Sequence, residues 1–169
     1  MSYKSSDRIY GTGLLLKIGG KDHWADCTKC ELKTRKADKG TTTFADAANG
    51  DAGQEWYFAI SAVQSTDPTS FWSWIWDHAG EELEYVYAPH GNATPSPAKP
   101  HFTGKVKIEN REGLGGGAGS SAYDFETEIP CTETPTKVTT GGAVEGAGME
   151  AGKQSTPAGS GTSSPSTGK

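Results

Sequence analysis

The sequence predicts a mainly β fold, a β-sandwich or barrel-like domain with one flanking α-helix and a disordered C-terminal tail. Three observations carry this reading. Short runs of alternating apolar and polar residues recur between Gly, Pro and Asn punctuation. A single dense aromatic segment, Phe71 to Trp76, sits between helix-capping residues. All sixteen aromatic residues lie between Tyr3 and Phe125, which leaves the C-terminal end without core-forming material.

The elements follow in order. Leu14 to Ile18 is an apolar run ended by Gly19-Gly20. Cys27 to Lys36 sets Cys30 and Leu32 on one face and Lys29, Glu31 and Lys33 on the other, the period-2 pattern of a half-solvated strand. Thr41 to Phe44 is short and β-branched. Gln54 to Val63 puts Trp56, Phe58, Ile60 and Ala62 on one side and reads as the central strand. Glu81 to Ala88 opposes Leu83, Tyr85 and Tyr87 to Glu82, Glu84 and Val86. Phe102 to Asn110 carries Phe102, Val106 and Ile108. Tyr123 to Ile129 alternates Tyr123, Phe125, Thr127 and Ile129 with Asp124, Glu126 and Glu128.

The helix is expected to begin at Asp67 as N-cap, with Pro68 in the first helical position, and to end at Gly80 after about three turns. Phe71 and Ile75 share one face, and Trp72 and Trp76 share another. A helix apolar on two faces must bury both. One face can pack on the sandwich. The other is covered either by loops of the same chain or by a neighbouring subunit.

Three loops stand out: Asp46 to Gly53, Pro89 to Pro100, and the glycine-rich Gly113 to Ser121. Loops of this length are exposed, mobile, or ordered by a partner. The domain is expected to span residues 1–139. In the remaining stretch, 140–169, twenty-three of thirty residues are Gly, Ser, Thr, Pro or Ala. Such a segment buries too little apolar surface to offset its conformational entropy and reads as a flexible tail.

Net charge is −5, and the tail's Glu145, Glu150, Lys153 and Lys169 cancel, so the acidic balance sits on the folded part. The one cationic cluster, Lys29 to Lys39, is interrupted by Glu31 and Asp38 and reads as a solvated face rather than a nucleic-acid footprint. Met1 to Tyr10 lacks the apolar core of a secretory signal, and no run approaches the ~20 apolar residues of a membrane helix. The expectation is synthesis in a cytosol, with three reduced cysteines and no membrane partner.

Motifs for catalysis or metal binding do not converge. Cys27-Thr-Lys-Cys30 is a single knuckle, whereas structural zinc needs four ligands. On a regular strand the two thiols would also point to opposite faces. Gly113 to Ala118 fits GxGxxG/A, but a strand rather than a helix follows it. Asp22-His23 and Asp77-His78 are acid–histidine neighbours with no nucleophile or oxyanion site signalled. The chain is expected to be neither an enzyme nor a cofactor-binding protein. Trp72, Trp74 and Trp76 would line one face if their segment were a strand, so a carbohydrate-binding module stands as the alternative.

The order of these pieces resembles the major tail tube proteins of long-tailed bacteriophages, especially those infecting actinobacteria. The residues that carry the resemblance are Cys30 to Ala47 (CELKTRKADKGTTTFADA), Trp56 to Gln64, Ser70 to Glu81 (SFWSWIWDHAGE), Pro89-His90-Gly91 with Pro95 to Pro100, and Phe102 to Asn110. Gly115 to Gly119 and Phe125 to Pro130 complete it. It spans about Leu14 to Val138. It implies a β-sandwich flanked by a helix, hexameric rings stacked into a tube, and contacts with other tail proteins. It also implies a virion location and genomic DNA passing through the lumen without specific binding. Candidate interface residues are Phe71, Trp72, Ile75 and Trp76 on the helix, with Asp46, Asn49, His90 and Pro95 in the loops.

Overall fold

The computed structural model describes residues 6–37, 44 and 53–144. Eight strands and one helix occur among them: β1 (Leu15–Ile18), β2 (Lys21–Asp22), β3 (Cys27–Lys36), β4 (Gln54–Val63), α1 (Phe71–Asp77), β5 (Glu82–Ala88), β6 (His101–Lys107), β7 (Asp124–Pro130) and β8 (Thr136–Val138). The strands form two antiparallel sheets, ordered β2-β1-β5-β6-β8 and β3-β4-β7.

Alternation along each strand decides which face turns inward. In β7, Phe125, Thr127 and Ile129 are buried while Asp124, Glu126 and Glu128 are exposed. In β4, Phe58, Ile60 and Ala62 point inward. Tyr85 and Tyr87 of β5 answer them from the other sheet, and Phe58 meets both edge-on at centroid distances of 4.9 and 5.4 Å. β1 turns into β2 through Gly19-Gly20, both at positive φ (59° and 80°), as a two-residue hairpin of this kind requires. At one corner the two sheets are tied together. Thr132 N–H donates to the Lys105 carbonyl at 2.9 Å beside a bridge between Val106 and Cys131.

α1 is shorter than the sequence suggests, at seven residues, and its N-cap is Ser70 rather than Asp67. Asp67 is used earlier: its carboxylate accepts from the Thr69 N–H at 2.8 Å and folds the chain into a turn. Ser70 Oγ then accepts from Ser73 N–H at 3.2 Å, and Asp26 accepts the Phe71 N–H at 2.7 Å. Two of the free donors at the helix start are thereby satisfied.

Other differences are local. Phe44, the one described residue of the expected strand Thr41 to Phe44, takes helical backbone and is exposed. Tyr123 leaves the inward row of β7, is exposed, and donates its hydroxyl to the Gly117 carbonyl. Strand β8 lies beyond the expected strands and pairs with the start of β6. Order continues past residue 139: the Val144 N–H donates to the Ala93 carbonyl at 2.9 Å. Most of the expected tail, 145–169, lies outside the described residues.

Two positions yield predictions. A Cβ on Gly104 would stand 3.1 Å from the buried Tyr85 ring, closer than ordinary van der Waals contact. Gly104→Ala should therefore destabilise the fold by roughly 1–3 kcal/mol in urea unfolding. His23 is buried against Phe71 and Trp74, at ring distances of 4.8 and 4.4 Å. Burial, and secondarily the charge on Lys21, hold its pKa down to about 4 from 6.5. The unfolded chain then takes up the proton first as pH falls. Stability should drop between about pH 6.5 and 4, by on the order of 3 kcal/mol, and level off below. Unfolding midpoints measured across that window should show this slope, and His23→Gln should lose most of it.

Candidate assembly surfaces

The helix residues divide sharply. Phe71 and Ile75 are each 1% exposed and belong to the core between helix and sheets. Trp72 is 8% exposed, and its indole N–H donates to the Gly113 carbonyl at 3.0 Å. As interface candidates these three are corrected: their own chain covers them. Phe71 and Ile75 are covered by the core, and the segment after β6 meets Trp72 through the Gly113 carbonyl. Trp76 differs. It is 44% exposed and stacks on Trp72 at 5.3 Å. Arg111 sits over its ring at 5.5 Å and donates from Nε to the Trp76 carbonyl at 3.2 Å. Trp74 turns the opposite way, into the core beside His23. On a helix, Trp72, Trp74 and Trp76 do not share a face, and no platform of three indoles forms.

The loop candidates also separate. Pro95 is buried, with Gly141 packed near it, so it is corrected as a contact residue. Its loop is held from within. Asn92 Nδ2 donates to the carbonyls of Thr94 (2.7 Å) and Lys99 (3.0 Å), and the His101 ring contacts the Asn92 carbonyl at 2.9 Å. Bonding within the chain orders this loop, which the sequence left as exposed, mobile or ordered by a partner. His90 is half-buried beside the segment that carries Arg8 and Tyr10. Asp46 and Asn49 lie outside the described residues.

Two features escaped the sequence reading. The first is a groove of about 400 Å³ whose lining includes Ile9, Tyr10, Trp24, Cys27, Cys30 and Tyr87 together with the polar Thr12, Thr28 and Lys29. Both thiols reach this side because the register slips between Cys27 and Lys29, which pair with the consecutive residues Ala62 and Ser61. The extra residue of this bulge puts Cys27 and Cys30 on one face and overturns the expectation of opposite faces. Burial nevertheless favours the thiol forms, pushing Cys27 up to about 12 and raising Cys30 as well. No group of three or more metal-ligating side chains occurs among the described residues.

The second feature is the contrast between sheet edges. The five-stranded sheet ends in β2 and β8, of two and three residues. The three-stranded sheet ends in β3 and β7, of ten and seven. Short edges offer little backbone for pairing with another chain, whereas long ones are templates for it. On the solvent face of this sheet, Arg35 spans all three strands, bonding Glu55 at 3.1 Å and Glu128 at 2.9 Å and lying 4.9 Å over Tyr57.

No helix among the described residues is long and apolar enough to cross a membrane. Comparison of the sequence with protein-family models and with curated proteins finds no match.

The two tryptophans should respond differently to truncation. Trp72→Ala should cost about 3–5 kcal/mol in chemical unfolding, as for a buried indole. Trp76→Ala should cost about 1 kcal/mol or less, since it loses only a partly exposed stack and a cation–π contact.

Proposed function

We propose that this chain is a structural subunit of a bacteriophage tail tube, assembling with copies of itself into stacked hexameric rings that conduct the genome. The observation that carries self-association is the pair of long strand edges on one narrow sheet. Among the described residues, β3 and β7 each have a strand neighbour on one side only. The outward backbone groups left between the Asp124 carbonyl, which Gln64 takes, and Pro130, which has no N–H, suit pairing with another copy, as do those of β3. The mainly β architecture with one helix at its flank agrees with the resemblance that suggests the tube. The acidic net charge of −5 suits a conduit that must let DNA slide rather than hold it. Trp76 with Arg111, and the groove beside Trp24, are further surfaces that contacts within or between rings could cover.

Purified full-length protein examined by negative-stain electron microscopy and size-exclusion chromatography should show rings or hollow tubes. Removal of residues 145–169 should leave those assemblies intact, because that Gly-, Ser- and Thr-rich stretch has Met149 as its one large apolar residue and little to bury against a partner. A chain that stays monomeric at every concentration would remove the self-association on which the proposal stands.

A further inference from the structure

The bulge in β3 changes what the spacing of its cysteines means. Cys27 pairs with Ala62 and Cys30 with Ile60, and Thr28 is the extra residue between the rungs. On the β4 side of the ladder these two partners are alternate residues, both buried in the inward row. A Cys-x-x-Cys spacing is thereby folded into the geometry of Cys-x-Cys, with both side chains on one face. The bulge is pinned where it forms. The Thr28 hydroxyl donates to the Ser61 carbonyl at 3.1 Å, and the Val63 N–H donates to the Asp26 carbonyl at 3.0 Å. Both cysteines are half-buried, and both line the groove beside Trp24. The Cys27 thiol donates to the His23 carbonyl at 3.2 Å, while the His23 ring is engaged with Phe71 and Trp74.

We propose that Cys27 and Cys30 form a binding site for one soft cation that takes two ligands in line, of the cuprous class. Distance selects this over other uses of the pair. Two rungs of a strand set the backbones of Cys27 and Cys30 roughly 7 Å apart. A disulfide asks for Cβ atoms about 4 Å apart, so forming one would pull the pinned strand out of register. An ion between the sulfurs adds two bonds of about 2.3 Å each and spans the gap with the strand in place. Zinc asks for four ligands, and no group of three His, Cys, Asp or Glu side chains among the described residues is placed to hold a metal ion. A cuprous ion is satisfied by two thiolates and prefers sulfur to oxygen. The third cysteine, Cys131, stands apart: its N–H donates to the Trp56 carbonyl at 2.8 Å, toward the other end of β4. Binding is a proton exchange. Each sulfur releases its proton to solvent as its bond to the ion forms, so two protons leave for one ion and no electron moves. The charges of Asp26 and Asp22 act on the Cys27 end and draw a cation toward the groove.

The test is a titration of reduced full-length protein, under argon, with cuprous ion buffered by the coloured chelator bicinchoninate. The wild type should draw one ion per chain from the chelator. Cys27→Ser and Cys30→Ser should each weaken binding by at least roughly 100-fold, since loss of an outer-shell partner alone can cost a metal site about that much. Cys131→Ser should bind as the wild type does. Circular dichroism with an unfolding midpoint confirms that each variant is folded. X-ray absorption at the copper edge needs no variant, and on the loaded wild type it should show two sulfur neighbours and no nitrogen. A wild type that leaves the ion with the chelator would overturn the site. So would undiminished binding by either Cys27→Ser or Cys30→Ser, an equal loss in Cys131→Ser, or a copper shell holding nitrogen or a third sulfur.

Discussion

The structure depends on one aromatic layer shared by two sheets. Phe58 of the central strand meets Tyr85 and Tyr87 edge-on. Val106, Ile108, Phe125 and Ile129 fill the space around them. Neither sheet has a second apolar face of comparable extent, so each holds its shape only by covering the other. Gly104 is part of the same constraint, since the Tyr85 ring occupies the space that a side chain there would need. The helix α1 adds Phe71, Trp74 and Ile75 to this layer. Ser70 and Asp26 fix its start, and Asp26 reaches it from the turn before β3.

That arrangement leaves the molecule asymmetric at its margins. The wide sheet is finished at both sides by strands too short to recruit a partner, and the narrow sheet is not. Among the described residues, each edge strand of the three-stranded sheet pairs with β4 alone. Its face is held level by Arg35, whose guanidinium reaches carboxylates on both neighbouring strands. Exposed pairs of this kind contribute little to stability. Their effect is to order the side chains along the edges, where a second copy would be read.

The helix shows how a chain can satisfy a doubly apolar element mostly by itself. The segment after β6 brings Arg111 and Gly113 against Trp76 and Trp72. One indole is sealed and the other is left part open under a guanidinium. The surface available to partners is therefore smaller than the helix sequence implies. Among the described residues, open aromatic surface lies at Trp76 and, separately, at Tyr10, Trp24, Phe44 and Tyr123.

By itself the sequence determined the fold class, five of the six described strands it predicted nearly residue for residue, and the inward row of each. Strand period and burial are set locally: β7 could place its carboxylates nowhere but in solvent. The helix was legible as an element, but its first residue was not, because Asp67 takes the Thr69 N–H in a turn while Ser70 and the distant Asp26 take those of Ser73 and Phe71, and only positions in space decide that division. The facing of Cys27 and Cys30 was read wrongly because a bulge leaves no mark in composition. Tertiary structure alone decided which tryptophan is covered, that Pro95 turns inward, and which strands stand at the edges. Those are questions of which distant segments meet, and hydrophobic periodicity carries no information about them.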